Sequence, residues 1–305
     1  ILIFLSILIF FFFHKDNDRK SHSFFWLSKE TSILINNWFM MYFLSVVLIG
    51  TVYPIFLDVI SSQKISVGPP FYHKLIIPFL IPFLLMMAIG PKLKWIKSQL
   101  EDKIYLISFF IISTLLAFLV LKNFNQNILI NTILISSALY LFFITLRDFF
   151  VKKYKNISQN IAHFGFSLLI LSILFNNIFA SEIITNLKVG ETFENSKTKI
   201  VFESVDQKKE KNYNAIIANF SISNLNGDED RFSPELRIYN QPVIATSEAD
   251  IKTTLMSDKF IVINLVQNQD FFNVRYQVKP FMLWIWLSVI LISFAGIVSF
   301  LQKRS

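Results

Sequence analysis

Cysteine is absent from all 305 residues, which rules out internal disulfides, cysteine-ligated zinc and thioether attachment of a prosthetic group to this chain. Charge is scarce too: Asp, Glu, Lys and Arg make up 16%, well short of the roughly one quarter usual for soluble domains. The local signatures of self-contained catalysis are missing as well. There is no Cys–His pair, no serine-nucleophile motif, no phosphate-binding glycine loop and no two histidines at metal-ligand spacing. Nor does the start read as a signal peptide, because Lys15, Arg19 and Lys20 follow the apolar run 1–13 instead of preceding it. That run is short for a span and stands at the terminus, so it reads as a truncated span, and the sequence is expected to be a fragment or one half of a split protein.

What is present is apolar. Hydrophobic residues make up 53% of the chain and 35 residues are Phe, more apolar surface than one soluble core can use. A bilayer core calls for about 20 apolar residues per helix, and runs of that kind occur at 38–57, 75–90, 104–121, 128–146, 161–179 and 281–301. With the partial run 1–13 they give six whole spans and one truncated one. The loops alternate in charge. Lys15, Arg19, Lys20 and Lys29 precede the first whole span, Lys64 and Lys74 are the only cations of the next loop, and Lys92, Lys94, Lys97 and Lys103 crowd the one after. Lys122 then stands alone before Arg147, Lys152, Lys153 and Lys155. Basic loops belong in the cytoplasm, which places 181–280 outside and returns Lys303 and Arg304 to the inside. The same bias accounts for the net charge of +8 without a nucleic-acid partner.

Residues 181–280 change character: turn-forming residues separate alternating runs at 199–205, 213–223, 235–245, 259–266 and 272–278, which read as short strands of a small sheet or barrel. The expected fold class is therefore mainly α, a polytopic transmembrane helix bundle with a small β-rich periplasmic domain before the last span. Its parts are 1–180 (bundle), 181–280 (β-rich domain) and 281–305 (last helix and tail).

The expected span interiors hold no Lys, Arg, Asp or Glu, and His163 is their one readily titratable side chain. Ionisable groups inside a membrane are costly and usually functional, and a neutral imidazole ligates haem iron well. The competing reading is an interfacial histidine bonded to Gln159, Asn160 or lipid headgroups. Gly165 removes bulk two residues on, admitting either a flat macrocycle or another helix. His14 and His22 fall in a basic loop and His73 beside Lys74 at an outer helix start, weaker positions for a ligand. Pro78 and Pro82 each remove a backbone donor from one span and can kink it. The stiff loop Ile65–Tyr72, with Gly68, Pro69 and Pro70, faces outward, where it can cap a cofactor, line a chamber or simply connect two helices.

Several of these segments resemble one family. Ser28-Lys29-Glu30, Leu34 to Asn37, Gly50-Thr51-Val52-Tyr53-Pro54, Ile65 to Pro70 and Gly90-Pro91 are similar, in order and spacing, to the S-R-E, L-N-N, G-T-x-Y-P, I-S-V-G-x-P and G-P series of the CcmF family. Ala162-His163-Phe164-Gly165 resembles its A-H-x-G span, and Pro234 to Tyr239, Ser247 to Ile251, Asp258 to Phe260 and Lys279 to Trp286 resemble its outer domain and last span. The resemblance is to the C-terminal half of that family (CcmF, NrfE, CycK), the cytochrome c haem lyases of System I maturation. Lys29 stands where the family more usually has Arg, keeping the charge and losing the planar fork.

The resemblance implies an enzyme subunit of the bacterial inner membrane that receives haem from a periplasmic CcmE-type haem chaperone, reduces it through a membrane haem b and supports its thioether attachment to apocytochrome c. It makes His163 one axial ligand of the haem b iron. The second ligand, the tryptophan-rich outer segment and two outer histidines are expected from an N-terminal half, without which this chain is not expected to be active. Further implied partners are thiol-reducing and apocytochrome-binding subunits of the CcmH and CcmI types, with quinol as an electron donor. Two readings compete: a polytopic transporter, hinted at only by Pro78 and Pro82, and a haem-free membrane assembly scaffold.

Overall fold

The computed structural model describes residues 25–61, 65–96, 103–122, 128–151, 156–224, 229–266 and 270–302, with isolated positions between 5 and 12. Most of the truncated first span, and both His14 and His22, lie outside the described residues. In hydrocarbon each backbone N–H and C=O needs a partner within its own segment, and the apolar runs accordingly fold as helices. These are α1 (Lys29–Ser61), α2 (Pro69–Ile89), α3 (Lys103–Leu121), α4 (Ile128–Phe150), α5 (Ile157–Phe179) and α6 (Met282–Gln302). Six helices among the described residues are long and apolar enough to cross a membrane, and the chain is a multi-pass membrane protein. Several of their hydroxyls are satisfied locally: Ser45, Thr51, Thr145 and Ser293 each donate to the carbonyl four residues back, at 2.8–2.9 Å.

Several helix ends differ from the sequence expectation, two of the starts for identifiable reasons. α1 starts at Lys29 rather than 38 because Ser28 caps it, its Oγ accepting the Thr31 N–H at 3.2 Å. α2 starts at Pro69 rather than 75, since Pro69 and Pro70 occupy its first turn, where a missing N–H costs nothing. It then runs unbroken past Pro78 and Pro82. α4 extends to Phe150 and so includes Arg147 and Asp148.

Two compact units result, residues 1–112 and 113–305. In the first, α1 and α2 form an antiparallel pair zipped by aromatic rings. Tyr42 lies 4.2 Å from Phe79, and Phe83 meets Phe39 and Phe43 edge-on at 5.7 and 5.5 Å. The Tyr42 hydroxyl, which would be costly unpaired at this depth, donates to the Leu75 carbonyl at 3.0 Å.

In the second unit α5 packs against both α4 and α6, and Ala117 and Leu121 of α3 join Ile135 of α4 in a small buried cluster with Leu174 and Phe175. Between α5 and α6 stands a β-sandwich: β1 (Ser181–Leu187), β2 (Thr192–Glu194), β3 (Thr198–Lys209), β4 (Tyr213–Asn224), β5 (Glu229–Phe232), β6 (Glu235–Asn240), β7 (Val243–Glu248), β8 (Asp250–Thr253), β9 (Ser257–Leu265) and β10 (Phe272–Pro280). One antiparallel sheet has the order β1-β10-β9-β8, the other β2-β3-β4-β6-β7, with β5 also on β4. Alternate residues point inward, as strand geometry requires: Ile200 and Phe202, Phe220 and Ile222, Ile261 and Ile263, Val274 and Tyr276 fill one shared core. Run 235–245, read from sequence as one strand, is a hairpin that turns at Gln241-Pro242, because proline cannot donate to a ladder. The small sheet or barrel of about five strands is thus a sandwich of two sheets.

Candidate functional site

The site is built on α5, whose three consecutive residues His163, Phe164 and Gly165 point about 100° apart around the helix. Phe164 faces α4, 5.2 Å from the Phe142 ring and 5.7 Å from Phe149. Gly165 is buried against α6, where a Cβ would stand 2.9 Å from Ile292 Cγ1 and 3.2 Å from the Ser288 carbonyl. Of the two visitors the sequence allowed at Gly165, the structure shows a helix. His163, in the second turn and half-buried, points to a different side of α5 from Phe164 and Gly165, the side that also carries half-buried Phe166 and Ile170.

The rotation of α5 is fixed from both ends. Asn160 Nδ2 donates to the Asp148 carbonyl at 3.4 Å, tying its first turn to the end of α4. At the other end Asn176 Nδ2 donates to the Pro280 carbonyl at 2.6 Å, and the Phe175 ring lies 5.6 Å from Phe281. Phe281 adopts the left-handed conformation, φ 61°, uncommon for a bulky residue. Sequence reasoning missed both ties. Asp148, only 6% exposed, fell beyond the expected end of its span at 146, and Asn176 was passed over as an uncharged residue inside one. An Asn–Asn pair where a span meets a domain, opposite Lys279-Pro280, was the available signal.

The donor set fits one half of a bis-histidine haem site. It offers one imidazole, on a helix side that also carries Phe166 and Ile170.

In the first unit, Gly68 caps α2 with extended backbone (φ −96°, ψ 178°), and Pro69 and Pro70 are exposed in its first turn. Next to them, Tyr72 seats its ring where a Cβ on Gly50 would be, 2.6 Å from the hydroxyl. At the other end of the helix pair a Cβ on Gly90 would collide with Ser32 Oγ. There the Lys29 N–H donates to the Lys94 carbonyl at 3.0 Å, Glu30 accepts the Ile96 N–H at 3.2 Å, and the Lys29 ammonium lies over the Trp95 ring at 5.4 Å. Lys29 and Glu30 thus meet the segment that follows Gly90-Pro91, and Gly50 meets Tyr72 at the end of the loop that carries Gly68. Segments far apart in sequence interlock in pairs.

The sandwich adds two ionic clips. Lys259 Nζ meets Asp230 Oδ2 at 2.7 Å between the two sheets, with Lys252 at 3.5 Å, and this holds the Asp230 carboxyl below the usual carboxylate range. Arg275 and Gln277 on β10 donate to Glu182 on β1 and lower its pKa likewise. Burial raises the Tyr276 phenol to about 12.

Residues 178–280 match the family described as the CcmF C-terminal beta-sandwich. Over 91% of its length the chain is 25% identical to the cytochrome c-type biogenesis protein CcmF of Pseudomonas fluorescens and 26% identical to that of Haemophilus influenzae. Along nearly its whole length the chain is similar to CcmF proteins. CcmF of Escherichia coli is 23% identical over 95% of the chain. The solved structure described as cytochrome c heme lyase CcmF shares the fold, with a TM-score of 0.68 and 20% identity over 90% of the chain. The chain spans 44–46% of the length of these CcmF relatives, and 46% of that structure.

Proposed function

We propose that this chain serves cytochrome c biogenesis as the C-terminal part of a haem lyase, and that His163 is one axial ligand of a haem b held within the membrane. The observation that carries the proposal is the position of His163 inside a membrane-span helix of a chain similar to CcmF, on a helix whose turn is set by Phe164 against α4 and Gly165 against α6. When bound, haem b supplies one-electron chemistry for reducing the incoming haem iron, with quinol as the electron source. The chain's own residues hold and aim. His163 offers a ring nitrogen to the iron, the second axial ligand coming from an N-terminal portion of the protein. Phe166 and Ile170 keep water from the same helix side. Asn160, Gly165 and Asn176 fix the turn of α5 about its axis, and with it the bearing of the imidazole.

The sandwich is continuous with that framework through Pro280 and Phe281, and it faces the periplasm of the bacterial inner membrane by the alternation of basic loops. There it meets the CcmE-type haem chaperone, apocytochrome c and the CcmH- and CcmI-type subunits. Gly68, Pro69 and Pro70 line the reaction chamber. The cysteine-free composition is in keeping, since the thiols that receive the vinyl groups belong to apocytochrome.

Covalent haem staining of c-type cytochromes tests the proposal, in cells whose own protein is replaced by the complete assembly carrying either native His163 or His163→Ala. Loss of most stained cytochrome with normal protein levels is expected. An unchanged yield contradicts the ligand role and moves the chain to a scaffold, which deletion of 181–280 should then abolish.

A further inference from the structure

The turn between β8 and β9 reaches past the rim of its sheet to α6. Ser257 and Pro280 are the last paired residues of β9 and β10, and the turn continues beyond them. It is closed on itself: the Thr254 N–H and hydroxyl both donate to the Ser257 carbonyl, at 2.9 and 2.8 Å, and the Ser257 N–H returns to Thr254 Oγ1 at 3.1 Å. It is also bound to the helix. The Phe281 N–H donates to the Met256 carbonyl at 2.8 Å, and the Trp284 indole Nε1–H to the Leu255 carbonyl at 2.9 Å.

These bonds engage only the backbone at the tip of the turn, and the two side chains project outward, Leu255 69% and Met256 62% exposed. Turn tips in water carry Gly, Asn, Asp or Ser for good reason; here two large apolar side chains are held out by a rigid backbone. Their depth is set by the partner. Trp284 lies in the first turn of a helix that crosses the membrane, and tryptophan at a helix end marks the headgroup boundary. Trp286, 63% exposed two residues further in, and Lys279 on the sandwich side bracket that boundary with the order expected of it, cation outside and aromatic rings at the interface.

We propose that Leu255 and Met256 form a finger inserted into the lipid interface beside α6, so that the sandwich is docked on the bilayer as well as joined to it. The physical need is visible at the junction. α5 and α6 reach the sandwich along one edge only, where Asn176 bonds Pro280, Ser181 pairs with Val278 and the β8–β9 turn bonds α6. A domain joined along one edge can rock about it. An apolar finger on lipid supplies a second point of support and holds the sandwich face at a constant tilt.

The test uses single-cysteine labelling, which a chain without native cysteine permits. Leu255→Cys and Met256→Cys keep the backbone carbonyls that bind α6. Leu265→Cys, 47% exposed at the far end of β9 and about 26 Å along that strand from Ser257, is the control. Each is labelled with an environment-sensitive fluorophore in the complete assembly in lipid nanodiscs. Positions 255 and 256 are expected to be blue-shifted and to lose most of their emission to a quencher carried on lipid, while iodide in the water quenches only position 265. Quenching of 255 and 256 by iodide at the rate of 265, with no effect of the lipid quencher, overturns the proposal. Protection from both quenchers overturns it too, since the occupant is then another protein surface.

Discussion

Gly165→Ala probes the contact on which the bearing of His163 depends. The added methyl would stand 2.9 Å from Ile292 Cγ1, 3.2 Å from the Ser288 carbonyl and 3.3 Å from the Ile292 nitrogen. A side-chain carbon can swing aside, but the other two atoms are α6 backbone and move only with the helix. That helix is pinned at its start by Phe281 and Trp284 on the β8–β9 turn. Overpacking of this kind costs about 1–3 kcal/mol. Replacing Gly by Ala inside a helix returns at most about 1 kcal/mol, and less in a bilayer, where separated helices remain helical. The net expectation is a loss of about 1–2 kcal/mol. Gly296→Ala, on α6 with nothing within 4 Å of its Cβ, carries no such penalty and should be neutral or slightly stabilising. Thermal unfolding in detergent, followed by tryptophan fluorescence, compares the two. A Gly165→Ala midpoint equal to or above that of Gly296→Ala would refute the reasoning, because it would mean that α5 and α6 do not meet at Gly165.

Asp230→Asn removes the carboxylate that Lys259 and Lys252 share, at a cost of about 1 kcal/mol for a pair that is partly solvated. Because the folded Asp230 pKa is lowered, its contribution is complete above the unfolded carboxylate value of about 4 and disappears as pH falls through the still lower folded value. Acid titration of the native protein should lose stability over that window, and the Asn variant should start lower and change less; parallel curves would contradict the clip. Ser28→Ala deletes the cap of α1 and should lower the midpoint by the equivalent of about 1 kcal/mol, whereas Ser28→Asp should retain most of it. Gly50→Ala, which drives a methyl into the Tyr72 ring, should be rescued in part by Tyr72→Leu, and full additivity in the double-mutant cycle would deny the contact.

The six whole spans were legible because each is a long apolar run, and a bilayer leaves such a run one conformation. Helix ends were less so: Lys29, Glu30 and Asp148 read as loop until Ser28, Trp95 and Asn160 show what holds them in or beside a helix. Alternation revealed the long inner strands of the sandwich, such as those carrying Phe202 and Phe220. It missed short ones like Thr192–Glu194, whose place depends on a partner strand rather than on their own pattern. His163 stood out as the one titratable group in a span. That Gly165 serves α6 requires knowing which helices are neighbours, and a single sequence does not state that.

The haem role of His163 is tested most directly by the reduced-minus-oxidised absorption spectrum of the purified complete assembly, native against His163→Ala. A six-coordinate b-type signal in the native protein, lost or strongly weakened in the variant at equal protein, is the predicted result. A native assembly without haem, or a variant whose spectrum matches the native one, would contradict it.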